Sequence, residues 1–172
     1  MMALLVTLAA APLHPMKRLL LIALLLLPTL AAADYQDAIQ AYANGRYEEA
    51  LTEFRRLAAE GDAKALYYVG FFYHNGFGVP KDNAEAAKWF VKAAQKNDAQ
   101  AQYYMGMLTA KGDGVEKDPV AAHMWYSLSV KNSANERDAA YTQREVVKLE
   151  KKMTPEQVVK AKEMAKSFKP QS

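Results

Sequence analysis

Side chains able to do acid–base, nucleophilic or metal chemistry are few in this 172-residue chain, and their spacing fits no known catalytic arrangement. The absence of cysteine removes thiolate metal sites, cysteine nucleophiles and any disulfide framework. The three histidines, His14, His74 and His123, belong to no H-E-x-x-H or other histidine–carboxylate motif, and there is no nucleophile elbow. Two glycine loops, Gly76-Phe77-Gly78 and Gly112-Asp113-Gly114, superficially resemble phosphate loops. They lack the lysine and hydroxyl that a phosphate loop uses and follow a helical pattern rather than a strand, so they read as turns. The sequence therefore predicts no catalytic residue, no metal site and no cofactor.

What remains is recognition chemistry. Lys64, Tyr68, Phe71 and Asn75 fall on one face of a helix by their i, i+4, i+7 and i+11 spacing, and Gln100, Tyr104, Met107 and Lys111 repeat that stripe 36 residues later. Aromatic and methionine side chains are enriched at interface cores, and tyrosine gives a large contact area. Side by side, the two stripes would present Tyr68, Phe71, Tyr104 and Met107 as one patch rimmed by polar residues. The competing reading is that these rings only pack between neighbouring helices.

The elements that must position these stripes are set by an internal repeat. Residues 62–97 and 98–133 align at an offset of 36. Asp62 meets Asp98, Tyr67-Tyr68 meets Tyr103-Tyr104, Gly70 meets Gly106, and the loop glycines, Asp82, Ala86 and Trp89 meet their counterparts. A period of this size marks a repeat architecture. In each unit, apolar residues at helical spacing (Ala65, Val69, Phe72, Tyr73) predict a first helix, which Gly76 would end. Asp82 or Asp118 then caps a second helix, with Glu85 expected as a capping-box partner and Pro119 at the first helical position. Gly70 and Gly106 lie inside helices, where glycine costs about 1 kcal/mol against alanine. A close helix crossing that a Cβ would block is the expected compensation.

The pattern A-x-Y-x-(L/V/M)-G-x-(F/L)-x-x-x-G-x-G-V-x-x-D-x-x-x-A-x-x-W-(F/Y) resembles the Sel1-like repeat, a relative of the tetratricopeptide repeat. It occurs twice in register over 62–133. Residues 34–61 form an earlier unit whose G-x-Y-x-x-A-x-x-x-F stretch is similar to a tetratricopeptide repeat. The resemblance implies an all-α, right-handed solenoid of antiparallel helix pairs that binds other proteins, with first helices lining the concave surface. It also places Trp89 and Trp125 at a family core position. Residues 134–172 read as a C-terminal capping helix pair, with the clearest helix start at Thr154-Pro155-Glu156-Gln157.

Residues 16–33, MKRLLLIALLLLPTLAAA, have the layout of a secretory signal peptide: a basic start, an apolar run and a small-residue cleavage site after Ala33. Met16 reads as the start codon and residues 1–15 as a gene-model extension. The apolar run is shorter than the roughly 20 residues of a membrane span, so no stable insertion is expected after cleavage. The expected compartment is the periplasm or the exterior. Without Lys17 and Arg18, 20 basic side chains face 19 acidic ones, which argues against nucleic-acid binding. The basic excess is concentrated in 141–172. The function expected is a non-catalytic adaptor of the bacterial envelope. It would hold a peptide segment or protein surface in its concave groove through Lys64, Tyr68, Phe71, Asn75, Gln100, Tyr104, Met107 and Lys111. The alternative is a binder of a cell-wall or polysaccharide-derived ligand, using Tyr68, Tyr104 and Trp89 as stacking platforms. A monomer is expected, with a dimer through the N-terminal helix face as the other option.

Overall fold

Four aspartates set the helix starts. Asp62, Asp82, Asp98 and Asp118 stand in extended backbone and accept from N–H groups of the next turn: Ala65 at 2.7 Å, Glu85 at 2.9 Å, Ala101 at 2.7 Å, and Val120 and Ala121 at 2.8 and 3.0 Å. Those N–H groups have no partner inside the helix, so each carboxylate removes an unsatisfied donor and opposes the positive end of the helix. A computed structural model describes residues 35–171, and among them every regular element is a helix. They are α1 (35–43), α2 (Tyr47–Ala59), α3 (Ala63–Asn75), α4 (Asn83–Gln95), α5 (Ala99–Lys111), α6 (Pro119–Asn132), α7 (Glu136–Glu150) and α8 (Pro155–Ser167). Residues 1–33, which carry the expected leader and the question of the start codon, lie outside the described residues.

The glycines of the G-x-G loops have two different tasks. Gly76 and Gly112 end α3 and α5 in the left-handed conformation, with φ of 76° and 74°. Their N–H groups bond back to Phe72 and Leu108 carbonyls at 2.8 Å. Gly78 and Gly114 are contact points between units. A Cβ on Gly78 would lie 2.9 Å from the Glu48 nitrogen, and one on Gly114 would lie 2.4 Å from the Asn83 carbonyl carbon. Each loop therefore rests on the start of the second helix of the preceding unit, α2 or α4. The loop closes when Asp82 and Asp118 donate their N–H groups to the carbonyls of Tyr73 and Thr109, at 2.9 and 3.1 Å.

The mid-helix glycines behave as expected. A Cβ on Gly70 would meet Phe90 at 2.7 Å, and one on Gly106 would meet Tyr126 at 2.6 Å. The paired helices cross where an aromatic ring lies on bare backbone. The 36-residue register runs through the core: Phe54, Phe90 and Tyr126 are buried, as are Ala50, Ala86 and Ala122. That continuity carries the 36-residue register back into α2. Consecutive helices pack against one another from α2 to α7, and α6 serves as partner to both α7 and α8.

Two local expectations need correction. Glu85 does not complete a capping box at Asp82: its carboxylate accepts instead from the Trp89 indole N–H at 3.0 Å and from Lys88 at 2.7 Å. A capping box does form at Thr154 with Gln157. Trp89 and Trp125 are half-buried at the core boundary rather than enclosed in it. Lys92 lies over the Trp89 ring, 5.0 Å from its centroid, and Phe168 meets Trp125 at 5.7 Å. On α7 the inward positions are Thr142 and Val146, whereas Val147 is exposed. Beyond α8 the chain returns to the body, where the Gln171 N–H donates to the Gln95 carbonyl at 2.8 Å.

Candidate binding groove

The N-terminal halves of α3 and α5 share one face, and the turn between α6 and α7 rises beside them. Together they enclose a groove of about 640 Å³. Tyrosines form much of its lining. Tyr35 of α1 meets Tyr68 of α3 with ring centroids 6.1 Å apart, Tyr67 of α3 meets Tyr104 of α5 at 5.8 Å, and Tyr103 of α5 meets Tyr141 of α7 at 5.7 Å. The Tyr-Tyr doublet of each unit thus sends one ring back to the preceding unit and one forward to the next.

The rings are supported from below. Tyr68 stacks on Phe54 at 4.5 Å and Tyr104 stacks on Phe90 at 4.8 Å. Because Phe54 and Phe90 are buried and occupy the same register position, the two tyrosines are held alike, each with one face fixed. Burial, and after it the neighbouring hydroxyl, pushes the Tyr35, Tyr67 and Tyr103 phenols above their ordinary pKa. Burial does the same to Tyr104. These groups are therefore neutral hydrogen-bonding phenols at physiological pH.

Side-chain amides line the groove beside the rings. Asn97 adopts a left-handed backbone, with φ of 66°, at the turn from α4 to α5. Asn132 donates to Asn97 Oδ1 at 3.2 Å and to Gln102 Oε1 at 3.0 Å, while the buried Gln102 donates to the Ala94 carbonyl. This chain of amides ties the end of α6 to the start of α5. Asp98, the cap of α5, lines the same groove. Burial raises its pKa, and the N–H groups of Ala101 and Gln100 act against that rise.

Of the eight residues expected at the site, the groove gathers four: Lys64, Tyr68, Gln100 and Tyr104. The other four lie beyond the lining, on the C-terminal halves of α3 and α5. Phe71 packs against Phe77 of the glycine loop at 5.8 Å and against Tyr104 at 6.1 Å. Asn75 turns back to donate to the Phe71 carbonyl at 2.8 Å. Met107 packs against the core, and Lys111 is exposed at the end of α5. Groove residues not expected from the stripes include Tyr35, Tyr67, Tyr103, Asn132, Asp138 and Tyr141. The doublets at 67–68 and 103–104 were a usable signal, since both members repeat. The α7 residues carry no such signal.

A histidine–carboxylate pair does form, 27 residues apart in sequence. His123 Nε2 donates to Glu150 Oε1 at 2.9 Å, the Ser127 hydroxyl lies 3.2 Å from His123 Nδ1, and Lys162 reaches Glu150 at 3.1 Å. The order hydroxyl, imidazole, carboxylate is that of a catalytic relay, but the His123 side chain has 0% exposure and does not line the groove. Its geometry fastens α7 and α8 onto α6. The other histidine, His74, bonds Asn83 at 2.6 Å and meets the Tyr104 ring edge-on. Among the described residues no group of histidine and carboxylate side chains could hold a metal ion, and no helix is long and apolar enough to cross a membrane.

Comparisons with known proteins agree with the repeat and the helical fold. The Sel1 repeat model matches residues 63–98 and 99–133. A crystal structure of a protective antigen from uropathogenic Escherichia coli strains, described as displaying an SLR fold, aligns with a TM-score of 0.73 at 28% identity, over 80% of this chain and 29% of that one. A Sel1 repeat protein from Oxalobacter formigenes aligns with a TM-score of 0.61 at 24% identity, over 78% of this chain and 55% of that one, and bears on the fold alone. The chain thus spans less than two thirds of either relative's length. No curated protein matches it. These matches show that residues 63–133 are two adjacent Sel1 repeats, carried in an all-α SLR fold of consecutively packed helices.

Proposed function

We propose that this protein is a non-catalytic adaptor whose concave groove holds an extended peptide segment of a partner protein. Repeat proteins of this kind typically mediate binding, and the Sel1 fold is usually non-catalytic. The observation that carries the reading is the groove's lining, in which neutral phenols and side-chain amides stand together. An extended peptide brings N–H and C=O groups that need partners once they leave water. Carboxamides supply both donor and acceptor, and phenols supply apolar area with a hydroxyl at its tip. With the leader read at 16–33, the setting proposed is the bacterial envelope, in the periplasm or outside the cell.

The stacking-platform reading for a glycan has less support. Trp89 is outside the groove lining, and one face each of Tyr68 and Tyr104 is already covered by Phe54 and Phe90. The test is an in-cell crosslinking pull-down with a Tyr141→Ser, Gln100→Arg double variant. Both side chains are exposed, so the fold is expected to survive, as circular dichroism would check. A protein captured by the parent and lost by the folded variant supports the groove. Equal capture by both overturns it.

A further inference from the structure

We propose that the segment held in the groove carries a lysine or arginine side chain, received between the tyrosine rings and the carboxylates of Asp98 and Asp138. This rests on the peptide-groove reading and adds the chemistry of the occupant. The groove is unequal in charge. Two carboxylates line it, the part-buried Asp98 at the start of α5 and the exposed Asp138 at the start of α7, against the single exposed ammonium of Lys64. The carboxylates come from the two helices that Tyr103 and Tyr141 bring into ring contact at 5.7 Å. Tyr141 is 53% exposed, so its ring is open to an incoming group. The charged side chains that act on the groove tyrosines are likewise acidic: Asp62 and Asp98 on Tyr35, Asp98 on Tyr67, and Glu145 on Tyr103.

A cation over an aromatic face gains from the ring quadrupole, and a nearby carboxylate adds a charge-assisted hydrogen bond. The molecule makes such pairs elsewhere. Arg55 stands over the Tyr73 ring at 5.6 Å and donates to its hydroxyl at 2.6 Å. An acidic segment would bring like charge to Asp98 and Asp138, with Lys64 alone to offset it. An uncharged one would leave the part-buried Asp98 with its capping N–H groups and the charge of the exposed Lys64.

The test starts from a phage-displayed random dodecapeptide library selected on the purified protein, followed by fluorescence anisotropy with the labelled selected peptides. Asp98→Asn removes the charge while keeping a side chain that caps helices equally well, and Asp138→Asn likewise spares the fold. The expected result is selection of peptides with a lysine or arginine whose replacement by glutamine weakens binding about ten-fold. Each aspartate variant is expected to weaken binding about five-fold and to flatten its dependence on salt. Peptides that lose affinity with Tyr141→Ser and Gln100→Arg, yet are acidic or neutral or bind both aspartate variants as tightly as the parent, overturn the cationic occupant and leave the peptide groove standing. If selection yields no peptide, or only peptides indifferent to the groove variants, both readings fall.

Discussion

The repeat body and the terminal helices are held by different forces. In the body, neighbouring units interlock through backbone contacts at Gly78 and Gly114, and the two helices of each later unit cross ring-on-backbone at Gly70 and Gly106. The terminal helices are joined to α6 through a polar junction in which Glu150 is shared by His123 and Lys162. Packing of the first kind recurs every 36 residues and tolerates no added volume. The second occurs once and depends on ionisation. The body therefore acts as the rigid floor of the groove, while α7, which brings Asp138 and Tyr141, is a wall seated by the buried Thr142 and Val146 together with the ionic junction.

Breaking the body should produce the largest effect. Gly114→Ala puts a Cβ 2.4 to 2.6 Å from the backbone of Asn83 and Ala84 and imposes a left-handed φ of 75° on alanine, so a loss of about 3 kcal/mol is expected in denaturant unfolding. Gly45→Ala is the matched control. It has the same φ of 75° but nothing within 4 Å, and should lose only about 1 kcal/mol. Equal losses would mean that inter-unit contact contributes nothing. At the junction, His123→Ala leaves Glu150 with Lys162 alone and opens a buried site, for a loss of about 2 kcal/mol. Hydrogen exchange should rise in α7 and α8 and stay unchanged in α3 to α5.

Acid separates the two regions without mutation. His123, and then Lys162, hold the Glu150 carboxyl below its ordinary value near 4.5. Its folded pKa is depressed, so its contribution is present above the unfolded value and fades as pH falls below about 4.5 and through the folded value. Exchange in α7 and α8 should increase over that range before the body responds. A body that loosens first would contradict the division. The smallest effect is expected at Lys88→Ala. It removes an ion pair to Glu85 whose lysine is 70% exposed, so no measurable change in stability is expected.

The same division explains what could be read from the sequence. The aspartate caps, the left-handed glycines, the tight crossings and the core register all repeat, and each was visible as a residue type imposed twice. Part of the groove was visible for the same reason: Lys64 and Tyr68 lie on one helical stripe, and Gln100 and Tyr104 on its repeat 36 residues later. The stripe runs the length of its helix, whereas the groove does not. Phe77 of the glycine loop packs on Phe71, and so the C-terminal half of α3 belongs to a different aromatic cluster. The opposite wall comes from Asp138 and Tyr141, which lie beyond the repeats, and from Asn132, whose counterpart 36 residues earlier is Lys96. The pairing of His123 with Glu150 spans 27 residues across a break in periodicity, and no local spacing announces it. Glu85 shows a subtler limit: its position suits a capping box, but the Trp89 indole one turn later draws it away.

The most direct test of the groove as the binding surface is photo-crosslinking in the cell of origin. p-Benzoylphenylalanine would replace Gln100 inside the groove in one strain, and Lys88 on α4 outside it in another. A discrete adduct formed from position 100 and absent from position 88 is the predicted result. An adduct from position 88 alone, or the same adduct from both, would contradict the account.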